Sequence, residues 1–470
     1  MSAANKIKSL QQFVTDTPSL VDYFYSGSVS PHASYRSSLN PAPPEWSNWR
    51  DEQRAWRETA ILFDQSHHMP EMFMRGPDAF RLLNYIGVNS FSNFTPGKAK
   101  QFVGCNPRGQ MIGECVVYYH EKDYFELVSG MHFQNWVHYH VETGKWNVKI
   151  ERDLPTSENP NGRTKFRFGM DGPNAEKIFT KVVDGTPPEI PFFNHALVKI
   201  AGCEVVALRH GMAGHKGVEL SGRFADGPAV RAALFEAGKE FGLLPGGTTT
   251  YFSACAEGGW MAYPTPAIYT GEDMRAYREW LPANSWEIRL QIGGSFRSKN
   301  IEDYYVTPWD MGYDRLVKFD HDFIGRAALE ASQKTSDRTA VSLVWNKDDL
   351  DKIFRSMFEA GPSYKQINYP VASYSFQQND EVRATDGKLI GIAAFSGYTI
   401  NEREVISLAM VDRAYAEPGT EALLTWGEPD GGSSKPQVER HQQTQVRVKI
   451  AAKPYAKTVQ KFRSASLQTS

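Results

Sequence analysis

The sequence predicts an α+β fold of antiparallel sheets with packed helices, followed by a small all-β domain. Three observations predict it. A strand–turn–helix pattern occurs twice, about a hundred residues apart. The stretches between and after these units are short strand-like runs such as Cys115–Tyr119, Tyr124–Val128, Leu197–Ile200 and Val205–Leu208. Beyond Ala340 the helical periodicity gives way to strand-like runs separated by Gly, Pro and Asp-Gly turns.

In chain order, residues 1–45 form a Ser- and Pro-rich arm. A helix over Ser47–Ala60 follows, because Trp49, Gln53, Trp56 and Ala60 recur at helical spacing, and a strand over Ile61–Asp64 comes next. The first strand–turn–helix unit is M-F-M-R-G-P-D-A (Met72–Ala79) leading into Phe80–Ile86. The second is F-G-M-D-G-P-N-A (Phe168–Ala175) leading into Ile178–Val183. Both are expected to carry Pro in the first helical turn, where a missing N–H costs nothing. A third helix is expected over Pro228–Phe241. The strands Val341–Trp345, Ile390–Phe395, Val405–Val411, Glu421–Trp426 and Thr444–Ile450 build the last domain, and Phe462–Ser470 is expected to fray. The domains are therefore an arm at 1–45, a region at 46–339 in two halves near 46–165 and 166–339, and a β-domain at 340–470.

Bulk properties narrow the function classes. The 470 residues suffice for a large core without cross-links, and 52 basic against 54 acidic residues leave a net charge of −2. There is no basic field for nucleic acid. The four cysteines, Cys105, Cys115, Cys203 and Cys255, form no C-x-x-C pair and have no metal-finger spacing. No apolar run opens the chain and none approaches the ~20 residues that span a bilayer. The expectation is a cytoplasmic protein, monomer or homodimer, with no nucleic-acid or membrane partner. His132, Trp136 and His140 share a helical face and His138 precedes His140 by two, but no third ligand accompanies them, so no metal is expected. Asp348, Asp349 and Asp351 read as a solvated helix start.

Two motifs carry chemistry. Val317–Leu329 (V-K-F-D-H-D-F-I-G-R-A-A-L) reads locally as a strand, a turn at Gly325 and a helix from Arg326. Leu208–Leu220 (L-R-H-G-M-A-G-H-K-G-V-E-L) is a glycine-rich turn running into a strand that bears Glu219. Together they resemble the folate-binding region of the family of the glycine cleavage aminomethyltransferase (T-protein). Gly391–Asp412 is similar to that family's C-terminal β-barrel. The resemblance implies an aminomethyltransferase-like fold ending in a barrel, and tetrahydrofolate as acceptor of a one-carbon unit. It also implies that Glu219 pairs with the pterin. A pterin edge offers adjacent N–H donors that one carboxylate accepts as a fork, and flanking glycines let a flat ring approach the backbone. Asp171 lies where the family approaches the pterin, and Trp260 is expected to stack near the folate.

Within the family the chain is most similar to the tetrahydrofolate-dependent O-demethylases of methoxylated aromatic acids. The blocks that carry this are Ser47–Gln53, Leu62–Met69, Leu208–Gly214, Glu236–Gly242, Ala267–Ser285 and Ile292–Val306. The resemblance implies methyl transfer from an aryl ether to N5 of tetrahydrofolate. That displacement needs a donor at the ether oxygen, excluded water and alignment of the two partners. Tyr251 matches a tyrosine that handles the aromatic substrate, Gln65 and His68 match residues of the same pocket, and Tyr35 is a fourth match on the arm. His68 is expected to hold the proton balance near neutral pH. The sequence departs from the pattern at Gly130, where vanillate-type demethylases carry a carboxylate-binding arginine. A glycine does not replace such a fork. The carboxylate then falls to another group such as His132, with the adjacent Phe133 expected among the substrate-binding residues, or the substrate is shaped differently; dicamba-like and lignin-derived methyl ethers fit better than vanillate. The rivals are an aminomethyltransferase or amine or sulfonium demethylase on the same scaffold, and a folate-binding module without turnover.

Overall fold

The computed structural model describes residues 42–212, 217–261, 264–289, 292–333, 335–372, 377–433 and 438–468. The first helix, α1 (Trp49–Glu58), starts where the Asn48 side chain accepts the Asp51 N–H, and it leads into β1 (Ala60–Asp64). Two similar units follow. One contains β2 (Glu71–Arg75), α2 (Ala79–Ile86), β3 (Ala99–Cys105), β4 (Met111–Glu121), β5 (Tyr124–Ser129), α3 (Met131–Thr143) and β6 (Lys149–Asp153). The other contains β7 (Lys165–Asp171), α4 (Ala175–Val182), β8 (His195–Ile200), β9 (Cys203–Leu208), β10 (Gly217–Arg223), α5 (Gly227–Gly238), β11 (Leu243–Gly246) and α6 (Thr248–Gly258).

The repeat seen in sequence is a repeat of topology. The first sheet runs β3-β4-β5-β2-β6 and the second runs β8-β9-β10-β7-β1-β11, so a meander beside its own opening strand occurs in both. β1 belongs to the second sheet, although it precedes every strand of the first. A division at 165/166 therefore cuts across the strand pairing. The two turns are alike: Gly76 and Gly172 sit at φ +145 and +125, and a Cβ at either would lie 2.2 Å from Asn147 O or 2.7 Å from Thr59 O. Pro77 and Pro173 fall just before the N-cap residues Asp78 and Asn174, two residues ahead of the first helical position rather than in the first turn as expected. The expected helix 228–241 tightens into a 3-10 turn at Lys239–Phe241 and stops at left-handed Gly242.

Each sheet buries its outer face under helices. Met72, Leu127 and Phe133 pack with α2 and α3, and Phe168, Leu220 and Leu234 pack with α4 and α5. The inner faces look at each other, and Tyr118 and Val128 of the first sheet meet Leu208 of the second. Strand alternation enforces this: residues that oppose one another across a ladder share a face. Val317–Phe323 forms turns rather than the strand expected, and Gly325 at φ +88 caps α7 (Arg326–Ser332).

The last domain is a closed barrel. Its strands are β12 (Arg338–Trp345), β13 (Asp380–Ala384), β14 (Leu389–Thr399), β15 (Glu404–Asp412), β16 (Glu421–Trp426) and β17 (Thr444–Ala451), in the order β12-β15-β14-β13-β16-β17. Helix α8 (Lys347–Arg355), capped by Asn346, lies between the first two. The chain end forms helix α9 (Lys457–Gln468), not the frayed tail expected. Among the described residues no helix is long and apolar enough to cross a membrane.

One buried carboxylate ties α1 to the start of α6. Glu52 is 0% exposed and accepts from Trp46 N (2.7 Å), Ser47 N (2.9 Å), Gly247 N (2.8 Å) and Thr250 Oγ1 (2.7 Å). Glu52→Ala strands four donors and is expected to destabilise by about 3 kcal/mol or more. Thermal unfolding measures this, and an unchanged midpoint would contradict it.

Candidate functional site

Between the inner faces lies a chamber built around Arg167 of β7. Its Nε donates to Glu71 Oε1 (3.0 Å) and its Nη2 to Glu126 Oε1 (2.5 Å), both on the first sheet. Its Nη1 donates to Tyr118 OH (2.9 Å) and to Glu219 Oε1. Tyr118 OH also donates to Glu219 Oε1 (2.8 Å). Arg163 adds a second buried cation against Glu71 (3.1 Å). Burial pushes Glu71 up to about 7 against the pull of Arg167. Burial also raises Glu126, but the His120 hydrogen bond and Arg167 outweigh it and hold Glu126 at about 2.

Glu219 has one oxygen fixed by Arg167 and Tyr118, and its side chain remains 12% exposed. Across the sheet, Glu219, Gly169 of β7, Phe63 of β1 and Gly246 of β11 stand in one register row on the chamber face. The Phe63 ring covers Gly246, where a Cβ would lie 2.3 Å from it, and neither glycine adds a side chain to the row. Gln65 lies along it: a Cβ on Gly169 would stand 3.0 Å from Gln65 Nε2. The Gln65 side chain is buried, and its Oε1 has no hydrogen-bond partner among the described residues. An orphaned buried acceptor and an anchored carboxylate match a flat ring with edge N–H donors, so the residues present suit a pterin. Asp171, 1% exposed, lies one row on, opposite Ile61 and Gly217.

At the other end of that row stands Tyr251, in the first turn of α6. Its ring meets Phe63 at 5.4 Å and His68 at 4.9 Å, both edge-on. Burial pushes the His68 imidazole down to about 4 against the pull of Asp64, and its Nε2 has no partner among the described residues. The ring is neutral at pH 7, so His68 does not hold the proton balance there as its ordinary pKa suggests. Burial also lowers the His210 pKa, against the opposing charge of Glu219.

The structure thus brings Gln65, His68, Tyr251, Asp171 and Glu219 together. It does not bring His132 and Phe133 to them. Phe133 is 0% exposed in the outer core against Phe102, and His132 stacks on Trp286 at 5.2 Å on the same side of the sheet. The helix that opens at Gly130 turns both residues under the sheet. Trp260 is engaged otherwise than by free stacking, since its Nε1 donates to Glu114 Oε1 (2.5 Å). Tyr35 lies outside the described residues.

Arg167, Tyr118, Glu126 and Glu114 escaped the sequence reading. The signal was present as single charges inside apolar strands, in K-F-R-F-G, Y-F-E-L-V and M-I-G-E-C. Such charges need partners when buried. Glu114 also accepts from Gln101 Nε2 (2.6 Å) and Tyr313 OH (3.1 Å), and burial raises its pKa.

Residues 22–271 match the model of the GCVT N-terminal domain. The chain is 44% identical to syringate O-demethylase of Sphingobium sp. (strain NBRC 103272 / SYK-6), over 96% of each protein. It is 28% identical to sesamin methylene transferase of Sinomonas sp. (strain No.22), over 90% of this chain and 92% of that protein. Among solved structures, the aminomethyltransferase T of the glycine cleavage system from Bartonella henselae superposes with a TM-score of 0.60 at 16% identity, covering 89% and 92% of the two chains.

Burial holds four histidines, His68, His132, His140 and His195, at about 4. Unfolded, each takes a proton near pH 6.5, so the unfolded state binds more protons below that point. Stability is expected to fall as pH drops from about 6.5 to about 4, with Glu71, Glu114 and Asp380, whose carboxyls burial raises, opposing. Thermal melts across that range test it; a flat profile would refute it.

Proposed function

The chain belongs to the GCVT family, and on that premise we propose that it is a tetrahydrofolate-dependent O-demethylase of aromatic methyl ethers. The products are a phenol and 5-methyltetrahydrofolate. The row Glu219–Gly169–Phe63 with Tyr251 at its end carries the reading: it runs from an anchored carboxylate, past the unpartnered Gln65 Oε1, to a phenol.

Reduced folate supplies a nucleophilic amine at N5. The chain supplies the rest. Glu219, fixed by Arg167 and Tyr118, accepts the pterin edge and sets its rotation. Gln65 offers its unpaired Oε1 to the bound ligand, and Asp171 flanks the ring. Tyr251 donates its phenolic proton toward the ether oxygen, so that the leaving group departs hydrogen-bonded rather than as a bare phenoxide. Neutral His68 packs on the Tyr251 ring and fixes its orientation. Phe63 and Phe252 line the approach and exclude water.

Gly130 bears on the substrate class. It follows β5 and caps α3 in extended geometry, and as glycine it brings no cationic side chain of its own. A methoxylated ring with a bulky neighbour to the methoxy group, as in a syringyl, chlorinated or other lignin-derived methoxybenzoate, suits that space. Oxygen-free incubation with tetrahydrofolate and a panel of methoxybenzoates, read by mass spectrometry, should yield 5-methyltetrahydrofolate with at least one donor. No product from any aryl ether, but turnover with a methylamine or sulfonium, would favour a different donor class.

Tyr251→Phe is expected to lower kcat by ~10²-fold or more while tetrahydrofolate affinity is kept. Turnover near that of the unmodified protein, with the fold intact, would remove Tyr251 from the reaction.

A further inference from the structure

After β17 the chain turns back across the chamber. Lys453 leaves the barrel, Nζ donating to Met311 O (2.7 Å), with Cγ 3.1 Å from where a Cβ on Gly259 would stand. Six residues after the following turn, α9 places Arg463 against Gly258, whose carbonyl accepts from its Nη2. Gln460 Nε2 ties the helix to Pro454 O (2.8 Å), and Phe462 meets Phe192 at 5.9 Å beside the first residues of the second meander. Two cations from the chain end thus converge on the last turn of α6, next to Glu114, Trp260 and Tyr313.

Like charges held together need an anion. Burial, then Arg463, lowers Lys453 to about 8 despite Glu114, and burial lowers Arg463. Glu114 does not supply a matched ion pair: its oxygens are taken by Gln101, Trp260 and Tyr313. A guanidinium has five N–H donors, and Gly258 O is the acceptor Arg463 has among the described residues. Arg463 is also solvent-reachable.

The position separates this pair from the aryl end. Gly258 lies seven residues along α6 from Tyr251, roughly 10 Å at 1.5 Å per residue. Glu219 lies two strands from Phe63, again roughly 10 Å. A Cβ on Gly258 would stand 3.1 Å from Met212 O, and the Arg463 charge acts on His210, which also feels Glu219, so the cations lie toward the Glu219 end.

We propose that Lys453 and Arg463 bind the glutamate carboxylates of the folate's p-aminobenzoyl-glutamate arm, so that the chain's own C-terminal helix completes the folate site. This rests on the reading above, that a reduced folate is the acceptor. The alternative source of a carboxylate is the aryl acid, and the pair's place at the far end of α6 argues for the folate arm. Cations at a helix C-terminus also offset its dipole, which would make the contact purely structural.

The test compares two ligands by calorimetry: tetrahydrofolate, and 6-methyltetrahydropterin, which has the ring but no arm. Arg463→Gln should weaken tetrahydrofolate by about tenfold and leave the pterin within about twofold. Lys453→Met should act in the same direction, and the double variant should lose more than either. Equal weakening of both ligands, or unchanged tetrahydrofolate affinity, overturns the proposal and leaves a structural role. A higher KM for the methoxybenzoate with folate affinity unchanged assigns the pair to the aryl acid and overturns it as well. If the unmodified protein binds neither ligand, the folate reading itself fails and this inference falls with it.

Discussion

Arg167 is the constraint on which the rest of the chamber depends. It sits between two sheets, 1% exposed at its side chain, and touches carboxylates on both. A lone buried guanidinium is prohibitively expensive, so each sheet must present acids toward it. Glu71 and Glu126 do so from the first sheet, and Glu219 does so from the second. With three acids around one cation, repulsion remains. Glu71 resolves part of it by drifting toward the neutral form and Arg163 resolves more. The ion cluster is not the cheapest way to join two sheets, since apolar packing often does better. What it gives is a carboxylate, Glu219, with one oxygen held in place and its side chain still 12% exposed. The chemistry needs that preorganisation, and the outer cores of each sheet carry the burden of stability.

The row is kept from behind. α1 touches no reacting group, yet its polar residues fasten the elements that do. Glu52 binds the first turn of α6, where Tyr251 stands. Gln53 binds Ser253 of α6 (2.9 Å) and the barrel at Ile400 N (2.8 Å), and Trp56 and Arg57 reach Glu257 at the far end of α6 (3.1 and 2.7 Å). The block S-N-W-R-D-E-Q therefore acts by position. It locks one helix to two domains, which fixes the distance between phenol and pterin edge.

Much of this was legible in sequence, for physical reasons. The strand–Gly-Pro–helix units were readable because a positive-φ glycine, a proline and an apolar period leave a local signature. Glu219 is singled out by the resemblance of its turn and strand to the family's motif, not by the glycines alone. The barrel strands followed from alternation. What escaped was non-local. Which face Phe133 takes depends on how α3 docks under the first sheet, and the apolar period does not say which side of the sheet is the chamber. The end of the chain reads as frayed, whereas α9 is fastened by Phe462 and Arg463 to parts of the chain more than two hundred residues away. Charges in strands were visible but unread, because pairing partners on another sheet cannot be matched from spacing.

The neutrality of His68 decides how the proton is handled. Held at about 4, the ring has no proton to give at pH 7, and it stands edge-on to Tyr251. A protonated imidazole would have placed a positive charge at the aryl end and made that end an acid. A neutral one leaves Tyr251 as the donor and adds no charge to a site that must accept a neutral ether and a neutral amine. Only as the methyl leaves does negative charge develop, on the aryl oxygen. A donor that strengthens as that charge grows contributes most at the transition state, where binding becomes rate. The two ends of the row then have separate tasks. The charged end, around Arg167, holds the cofactor in the ground state. On the proposed reading, the end around Tyr251, Phe63 and His68 answers charge that exists only in passing, with Asp64 acting on the His68 imidazole beside it.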